Sequence, residues 1–75
     1  MNTEDELCFI RQPEVTRITS IPKSTLPIEI EDGNFPAPVD LTTRSRGWLK
    51  SEVHAWMRKK LEERDVKEKK RHEYK

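Results

Sequence analysis

The spacing of apolar residues divides the start of the chain into two short elements. A compact apolar run at residues 7–11 is compatible with an edge strand. Pro13 fits the first position of a helix, where its missing N–H costs nothing. Val15 and Ile18 lie three positions apart and share one helix face. The pattern therefore predicts a strand followed by a first helix over residues 13–20.

A second short helix is predicted over residues 24–32. Ser24 is a good N-cap residue at its start, and Gly33 is a suitable stop just past its end. Leu26 and Ile30 lie four positions apart, so both can point into a core. Two short helices joined by a tight turn form a helix-turn-helix.

The next segment has the pattern of a β-hairpin. Prolines at positions 36 and 38 exclude a helix and indicate an extended connector. Residues 39–41 alternate apolar and polar, as in a half-buried strand, and residues 47–49 can form the returning strand. Arg44 and Arg46 then lie at or near the tip. A hairpin in this position is the wing of a winged helix.

The last helix is predicted to start near Lys50. Its apolar residues recur at helical spacing and form one stripe: Leu49, Val53, Trp56, Met57 and Leu61. We assign both Trp48 and Trp56 to the core, because two tryptophans supply much of the buried area in a chain this small.

These elements define one domain at residues 8–64. Its predicted fold class is α+β, mainly α: a small winged helix-turn-helix with three helices and a β-hairpin wing. Residues 1–7 are interpreted as a disordered tail. Residues 65–75 are interpreted as a charged helical extension or a frayed tail, because they contain few large apolar residues.

The composition argues against an enzyme and against a secreted or membrane protein. Cys8 is the only cysteine, so it cannot form an internal disulfide, and its apolar neighbours predict a small buried hydrophobe. One cysteine and two distant histidines make no zinc motif, and two glycines make no phosphate loop. No apolar stretch approaches the ~20 residues of a membrane span. We expect a cytoplasmic protein without catalytic, cofactor or metal sites.

Charge is unevenly distributed along the chain. Residues 1–40 contain three basic and eight acidic residues, a net charge of −5, whereas residues 41–75 contain twelve basic and six acidic residues, a net charge of +6. A basic half of this kind is attracted to polyanions. Because acids are interspersed with its bases, it is also compatible with an ordinary solvated helix.

Three groups of residues are candidates for contact with DNA. Lys23, Ser24 and Thr25 lie where a recognition helix presents its first turn, with hydroxyls, backbone N–H groups and the helix dipole available to phosphate. Thr43, Arg44 and Arg46 can bind the DNA backbone or a minor groove from the wing. The basic residues between 58 and 71 can add salt-sensitive affinity. Arg17 completes the predicted DNA-binding set.

The order and spacing of these residues resemble the AlpA family of small prophage and mobile-element regulators, which are similar to phage excisionases with a MerR-like winged helix. The resemblance covers about residues 8–64. The matching residues are Phe9-Ile10-Arg11, Pro13-Glu14-Val15, Lys23-Ser24-Thr25-Leu26, Gly33, Phe35-Pro36, Pro38-Val39, Arg44, Gly47-Trp48, Glu52-Val53 and Ala55-Trp56.

The resemblance implies a bacterial, nucleoid-associated DNA-binding protein without catalytic activity. Its partners would be double-stranded DNA at an attachment site or promoter and a tyrosine integrase, with several copies binding the DNA cooperatively. Such a protein acts as an excisionase (a recombination directionality factor) that bends DNA and favours excision. Alternatively, it activates transcription of an adjacent integrase gene.

The second helix departs from the family pattern. The family usually has an aromatic and then a basic residue after Ser-Thr-Leu, and another basic residue before the glycine. Here those positions are Pro27, Ile28 and Glu31, and further acids lie at 29 and 32. Acids repel phosphate, so a third reading remains open: a protein-interaction module with weakened DNA recognition.

Overall fold

The computed structural model describes residues 7–73, with side chains to residue 68. The elements in chain order are β1 (Phe9–Ile10), α1 (Gln12–Thr19), α2 (Leu26–Glu31), β2 (Val39–Thr42), β3 (Ser45–Leu49) and α3 (Lys50–Glu73). The predicted α+β class is confirmed, with three helices, a hairpin and a winged helix-like arrangement.

The three strands form one antiparallel sheet in the order β1-β3-β2. Ile10 lies opposite Trp48, and Val39 lies opposite Gly47. The short apolar run near the N-terminus is therefore an edge strand, as predicted. It places Cys8 beside the first residue of α3, since the Lys50 N–H donates to the Cys8 carbonyl at 2.7 Å.

Helix α1 begins and ends one residue earlier than the sequence predicts. It starts at Gln12, so Pro13 occupies the second helical position rather than the first. The helix ends because Ser20 adopts the left-handed conformation, with φ of 64°, and its N–H donates to the Thr16 carbonyl at 2.9 Å.

The prediction that Ser24 caps the second helix is wrong. Helix α2 begins at Leu26, and the preceding Thr25 is itself helical (φ −86°, ψ −28°) with no side-chain cap bond. The Pro22 carbonyl accepts from the N–H groups of both Thr25 and Leu26, at 3.0 and 3.1 Å. Lys23 and Ser24 are thus part of a turn that leads into the helix, and the extended backbone of a capping residue is absent at Thr25.

The predicted stop at Gly33 is confirmed. Gly33 has φ of +79°, its N–H donates to the Ile30 carbonyl at 3.1 Å, and the Asn34 N–H donates to the Glu29 carbonyl at 2.8 Å. This pair of bonds is a Schellman motif, which satisfies carbonyls at a helix end and requires a left-handed residue.

Strand β2 is not half-buried as its alternation suggested. All four of its residues are exposed, including Val39 at 43% and Leu41 at 37%. The strand is an edge of the sheet and pairs only with β3. It also bulges between Asp40 and Thr42, which interrupts the regular alternation.

The hydrophobic core contains five buried residues, one each from α1, α2, the connector, β3 and α3: Val15, Leu26, Phe35, Trp48 and Val53. The sequence did not assign Phe35 to the core, because it lies in a proline-rich connector. Its ring makes edge contacts with Trp48 and Trp56, at centroid distances of 6.5 and 5.0 Å. Trp48 is buried as predicted, whereas Trp56 is half-buried at the edge of the core.

Both tryptophans also hold the connector through hydrogen bonds. Trp48 Nε1–H donates to the Pro36 carbonyl at 2.9 Å, and Trp56 Nε1–H donates to the Asn34 carbonyl at 2.6 Å. The connector therefore has a fixed position between α2 and the hairpin although it has no regular structure.

Helix α3 starts at Lys50, as predicted, and continues to Glu73. Leu61 does not continue the buried stripe, since it is 52% exposed and Met57 is the last α3 residue packed against the core. Cys8 is half-buried rather than buried. Of the tails named from sequence, residues 1–6 and 74–75 lie outside the described residues.

Candidate nucleic-acid interface

The turn before α2 presents two exposed side chains, and its backbone N–H groups are bonded internally from Thr25 onward. Lys23 and Ser24 are exposed and Thr25 is half-buried. The N–H groups of Thr25 and Leu26 are bonded to the Pro22 carbonyl, and Pro27 has no N–H. The Ile28 N–H donates to the Thr25 carbonyl at 3.1 Å. The expectation that amides of this first turn are free for phosphate is therefore wrong from Thr25 onward, where any contact depends on side chains.

The wing is a tight hairpin whose tip is the two-residue loop Thr43-Arg44. Neither residue has positive φ, although two-residue hairpin loops usually require it. The bulge at Leu41 supplies extra twist instead. Thr42 closes the loop, because its Oγ1 accepts from the Arg44 N–H at 3.2 Å and lies 2.7 Å from the Ser45 Oγ. Arg44 thus projects from a short loop that hydrogen bonds hold on both sides.

Arg46 lies in β3, one pair back from the loop, because the returning strand is longer than predicted. It stands opposite Asp40, and its Nε lies 3.2 Å from Asp40 Oδ1. Both side chains are largely exposed, at 70% and 78%. An exposed pair of this kind is weak. The two Nη groups of Arg46 make no hydrogen bond to another described residue, so they remain available to an anion.

A groove of about 370 Å³ between α2 and the hairpin brings two of the predicted basic residues to one surface. Lys23 lines it from the turn before α2, and Arg46 lines it from the wing. Its other lining residues are Gln12, Leu26, Pro27, Ile30, Glu31, Pro38 and Trp48. The groove lining is therefore mostly apolar, with two basic residues, Lys23 and Arg46, and one acid, Glu31.

Arg17 lies in neither the groove nor the wing. It donates two hydrogen bonds to the Glu14 carboxylate, at 2.8 and 2.6 Å, within α1. These bonds, more than any other influence, lower the pKa of Glu14, and they raise the pKa of Arg17. The positive charge of Arg17 is thus balanced locally, which leaves less of it for an external phosphate.

The acids of the second helix face outward in part. Glu31 and Asp32 are exposed, whereas Glu29 is half-buried. Glu31 also lines the groove. The sequence anticipated this negative charge, and the structure places one carboxylate in the same groove as Lys23 and Arg46.

Sequence reasoning did not identify three residues of this surface: Gln12, Pro38 and Asp40. Gln12 and Pro38 enter the groove only through long-range packing, for which a single sequence holds no signal. The Asp40–Arg46 pair depends on hairpin register. That register could have been inferred by centring the loop on Thr43 and Arg44, except that the bulge shifts it by one residue.

No helix within residues 7–73 is long and apolar enough to cross a membrane. Across the same described residues, no group of three or more His, Cys, Asp or Glu side chains is placed to hold a metal ion.

Two helices, a three-stranded sheet with an exposed hairpin, and a following long helix define a small winged helix-turn-helix protein. The chain belongs to the AlpA family of prophage regulatory proteins: the family described as "Prophage CP4-57 regulatory protein (AlpA)" matches residues 8–61. The family resemblance inferred from sequence is thereby confirmed.

A similar protein is known from Enterobacteria phage P4, where it is described as "Uncharacterized protein ORF88". It is 43% identical over 49 residues, which cover 65% of this chain and 56% of the relative. The match therefore spans little more than half the length of that relative. No solved structure matches the chain.

Proposed function

We propose that this AlpA-family regulator binds double-stranded DNA through the groove between α2 and the hairpin, together with the wing tip. The observation that carries the proposal is the shared placement of Lys23 and Arg46 in the lining of one groove, from the turn before α2 and from the wing. A sugar-phosphate strand suits such a site, with its phosphates beside Lys23 and Arg46 and its sugars on the apolar lining residues. Arg44 reaches the neighbouring backbone or minor groove from the wing tip.

The DNA is an attachment site of a mobile element, and the role is that of an excisionase. Several copies bind there, bend the DNA and favour excision by a tyrosine integrase in the bacterial cytoplasm, at the nucleoid. Membership of a prophage regulator family supports a role in the life cycle of an integrated element. The lack of free first-turn amides and the acids of α2 both support a larger share of contacts from the wing than from the helix.

A gel-shift series with the element's attachment site tests the binding surface. We expect Arg44→Ala combined with Arg46→Ala to weaken binding roughly tenfold or more, because two charge-assisted contacts are lost. The matched control is Lys59→Ala combined with Lys67→Ala, which removes the same charge from exposed positions in the basic stretch of α3 and so measures the non-specific share of the affinity. Unchanged affinity in the wing variant would exclude the wing as a contact surface.

A transcriptional activator of an adjacent integrase gene is the alternative regulatory role. An excision assay in a deletion strain separates the two roles when integrase is supplied from an independent promoter. An excisionase remains necessary for excision under that condition, whereas an activator becomes dispensable.

The acids of α2 favour a second candidate of another class, a protein-interaction module. Ile28 is 57% exposed beside Glu31 and Asp32, an arrangement suited to a protein partner. Absence of any salt-dependent DNA binding, together with a stable protein complex, would establish this role instead.

A further inference from the structure

The outer face of α2 has one exposed apolar residue with acids beside it. Glu31 and Asp32 follow Ile28 by three and four positions, so the three side chains share a face. Neither of these carboxylates forms an ion pair with another residue in the described part of the chain. We call Ile28, Glu31 and Asp32 the acidic patch.

Helix α3 has a matching face of opposite charge. Leu61 is 52% exposed, and Arg58 and Arg64 lie three positions to either side of it. Arg58 has no ion-pair partner among residues 7–68, and Arg64 contacts only its neighbour Asp65, at 3.0 Å. An exposed pair between neighbours is weak and can be exchanged for another. We call Arg58, Leu61 and Arg64 the basic strip.

The basic strip lies on the part of α3 that leaves the fold. Met57 is the last α3 residue packed against the core, and the helix continues to Glu73. This extension is ~24 Å long, at ~1.5 Å per residue. A helix of that length is marginal by itself in water, so it gains from a surface that covers Leu61, which is exposed there together with Val66.

We propose that the acidic patch of one copy binds the basic strip of a second copy of this chain. Each face presents one exposed aliphatic side chain with two charges beside it, and the two sets of charges have opposite sign. Ile28 would pack on Leu61, while Glu31 and Asp32 would pair with Arg58 and Arg64.

A second copy fits the basic strip better than DNA does. Glu62 lies four positions from Arg58, and Asp65 is already in contact with Arg64. These two acids reduce the net positive charge of the strip, so a continuous phosphate backbone gains less from it, whereas two discrete carboxylates can each pair with one arginine.

The contact is weak in solution, because exposed ion pairs contribute little and one aliphatic pair is small. Its effect grows when two copies are held side by side, since a short tether gives effective concentrations on the order of 1 mM. A role for this contact between copies bound side by side on DNA rests on the function proposed above, but the contact itself does not require DNA.

Charge exchange tests the contact in the absence of DNA. The first variant combines Glu31→Lys with Asp32→Lys, and the second combines Arg58→Glu with Arg64→Glu. The measurement is the concentration dependence of ¹⁵N NMR spectra up to about 1 mM protein, the range in which a tethered contact of this strength operates. Circular dichroism checks that each variant is folded, and Arg58→Glu alone provides a milder second probe.

We expect wild-type shifts at the acidic patch and the basic strip that grow with concentration and fall with added salt. Neither charge-exchanged variant should show them alone, and a mixture of the two should restore them. The control is Lys59→Glu combined with Lys67→Glu, which has the same net charge as the second variant but lies off the strip; it should behave as wild type.

Three results would overturn the proposal: wild-type spectra that do not change with concentration, a variant that self-associates alone as wild type does, or a control that loses the shifts. None of these results bears on the binding of DNA, so the two proposals fail separately.

Discussion

At the scale of single residues, aromatic rings and short polar contacts determine positions that the pattern of the chain does not reveal. Phe35 is the clearest case, because it is buried between two tryptophans although its neighbours are Asn34 and Pro36. The indole N–H groups then fix the backbone on both sides of it. These contacts are long-range, so local periodicity predicts the tryptophans as core residues but not the ring between them.

The Glu14–Arg17 pair makes stability depend on pH in a defined direction. Hydrogen bonds from Arg17 lower the pKa of the Glu14 carboxyl in the folded state. Its contribution is therefore fully present above the unfolded-state pKa of about 4.3 and is lost as the pH falls through the lower folded-state pKa. Glu14→Gln should accordingly reduce the urea midpoint near neutral pH and have little effect in strong acid.

Urea unfolding at a series of pH values measures this difference. The matched control is Glu62→Gln, an exposed position on α3 without an ion pair among the described residues. The control removes a carboxylate that has no such partner in the described part of the chain, so the comparison isolates the effect of the Glu14–Arg17 pair. A Glu14→Gln effect that stays constant from neutral to acid pH would show that the pair contributes no pH-dependent stability.

At the scale of elements, the order of helices and strands could be predicted, and their ends could be predicted only where the end has one dominant cause. Gly33 is such a cause, because only glycine adopts its φ without strain. The start of α2 is not: Ser24 has the right side chain for a cap, but the Pro22 carbonyl captures the following N–H groups and delays the helix to Leu26. A helix start capped by Ser24 and a turn closed by the Pro22 carbonyl are both compatible with these residue types, so the sequence alone does not decide between them.

Gly33→Ala tests the helix end. Gly33 has φ of +79°, and nothing lies within 4 Å of where a Cβ would be, so the substitution adds backbone strain without a clash. We expect a loss of ~1 kcal/mol in the free energy of unfolding. Gly33→Asn should lose less, because asparagine tolerates the left-handed region. Chemical denaturation measures both, and an alanine variant as stable as wild type would contradict the role of the motif.

The candidate surface could be predicted in part. The wing contacts could be predicted because two arginines lie in a polar segment, and Arg44 is indeed in the loop. The number of free N–H groups at the start of α2 was overestimated, because it depends on the turn geometry and on the Pro22 carbonyl. The groove itself depends on how the connector brings Pro38 and Trp48 beside α2, which only tertiary packing determines.

At the scale of the whole molecule, the uneven charge of the chain becomes a spatial division. Negative charge collects on the outer face of α2, whereas positive charge lies on the wing, beside the groove and along α3. One surface of this small protein is therefore suited to a polyanion, and the acidic patch and basic strip are suited to each other. Both proposed contacts depend on charge, so both should weaken with added salt.

The salt dependence of DNA binding, measured by fluorescence anisotropy on an attachment-site duplex, tests the groove most directly. Each phosphate contact contributes about 0.9 to the slope of log Kobs against log salt concentration. Lys23→Ala combined with Arg46→Ala should therefore reduce the slope by about 1.8 and weaken binding at every salt concentration. The control pair, Lys59→Ala with Lys67→Ala, should change the slope far less. A groove variant with the wild-type slope and affinity would contradict the account.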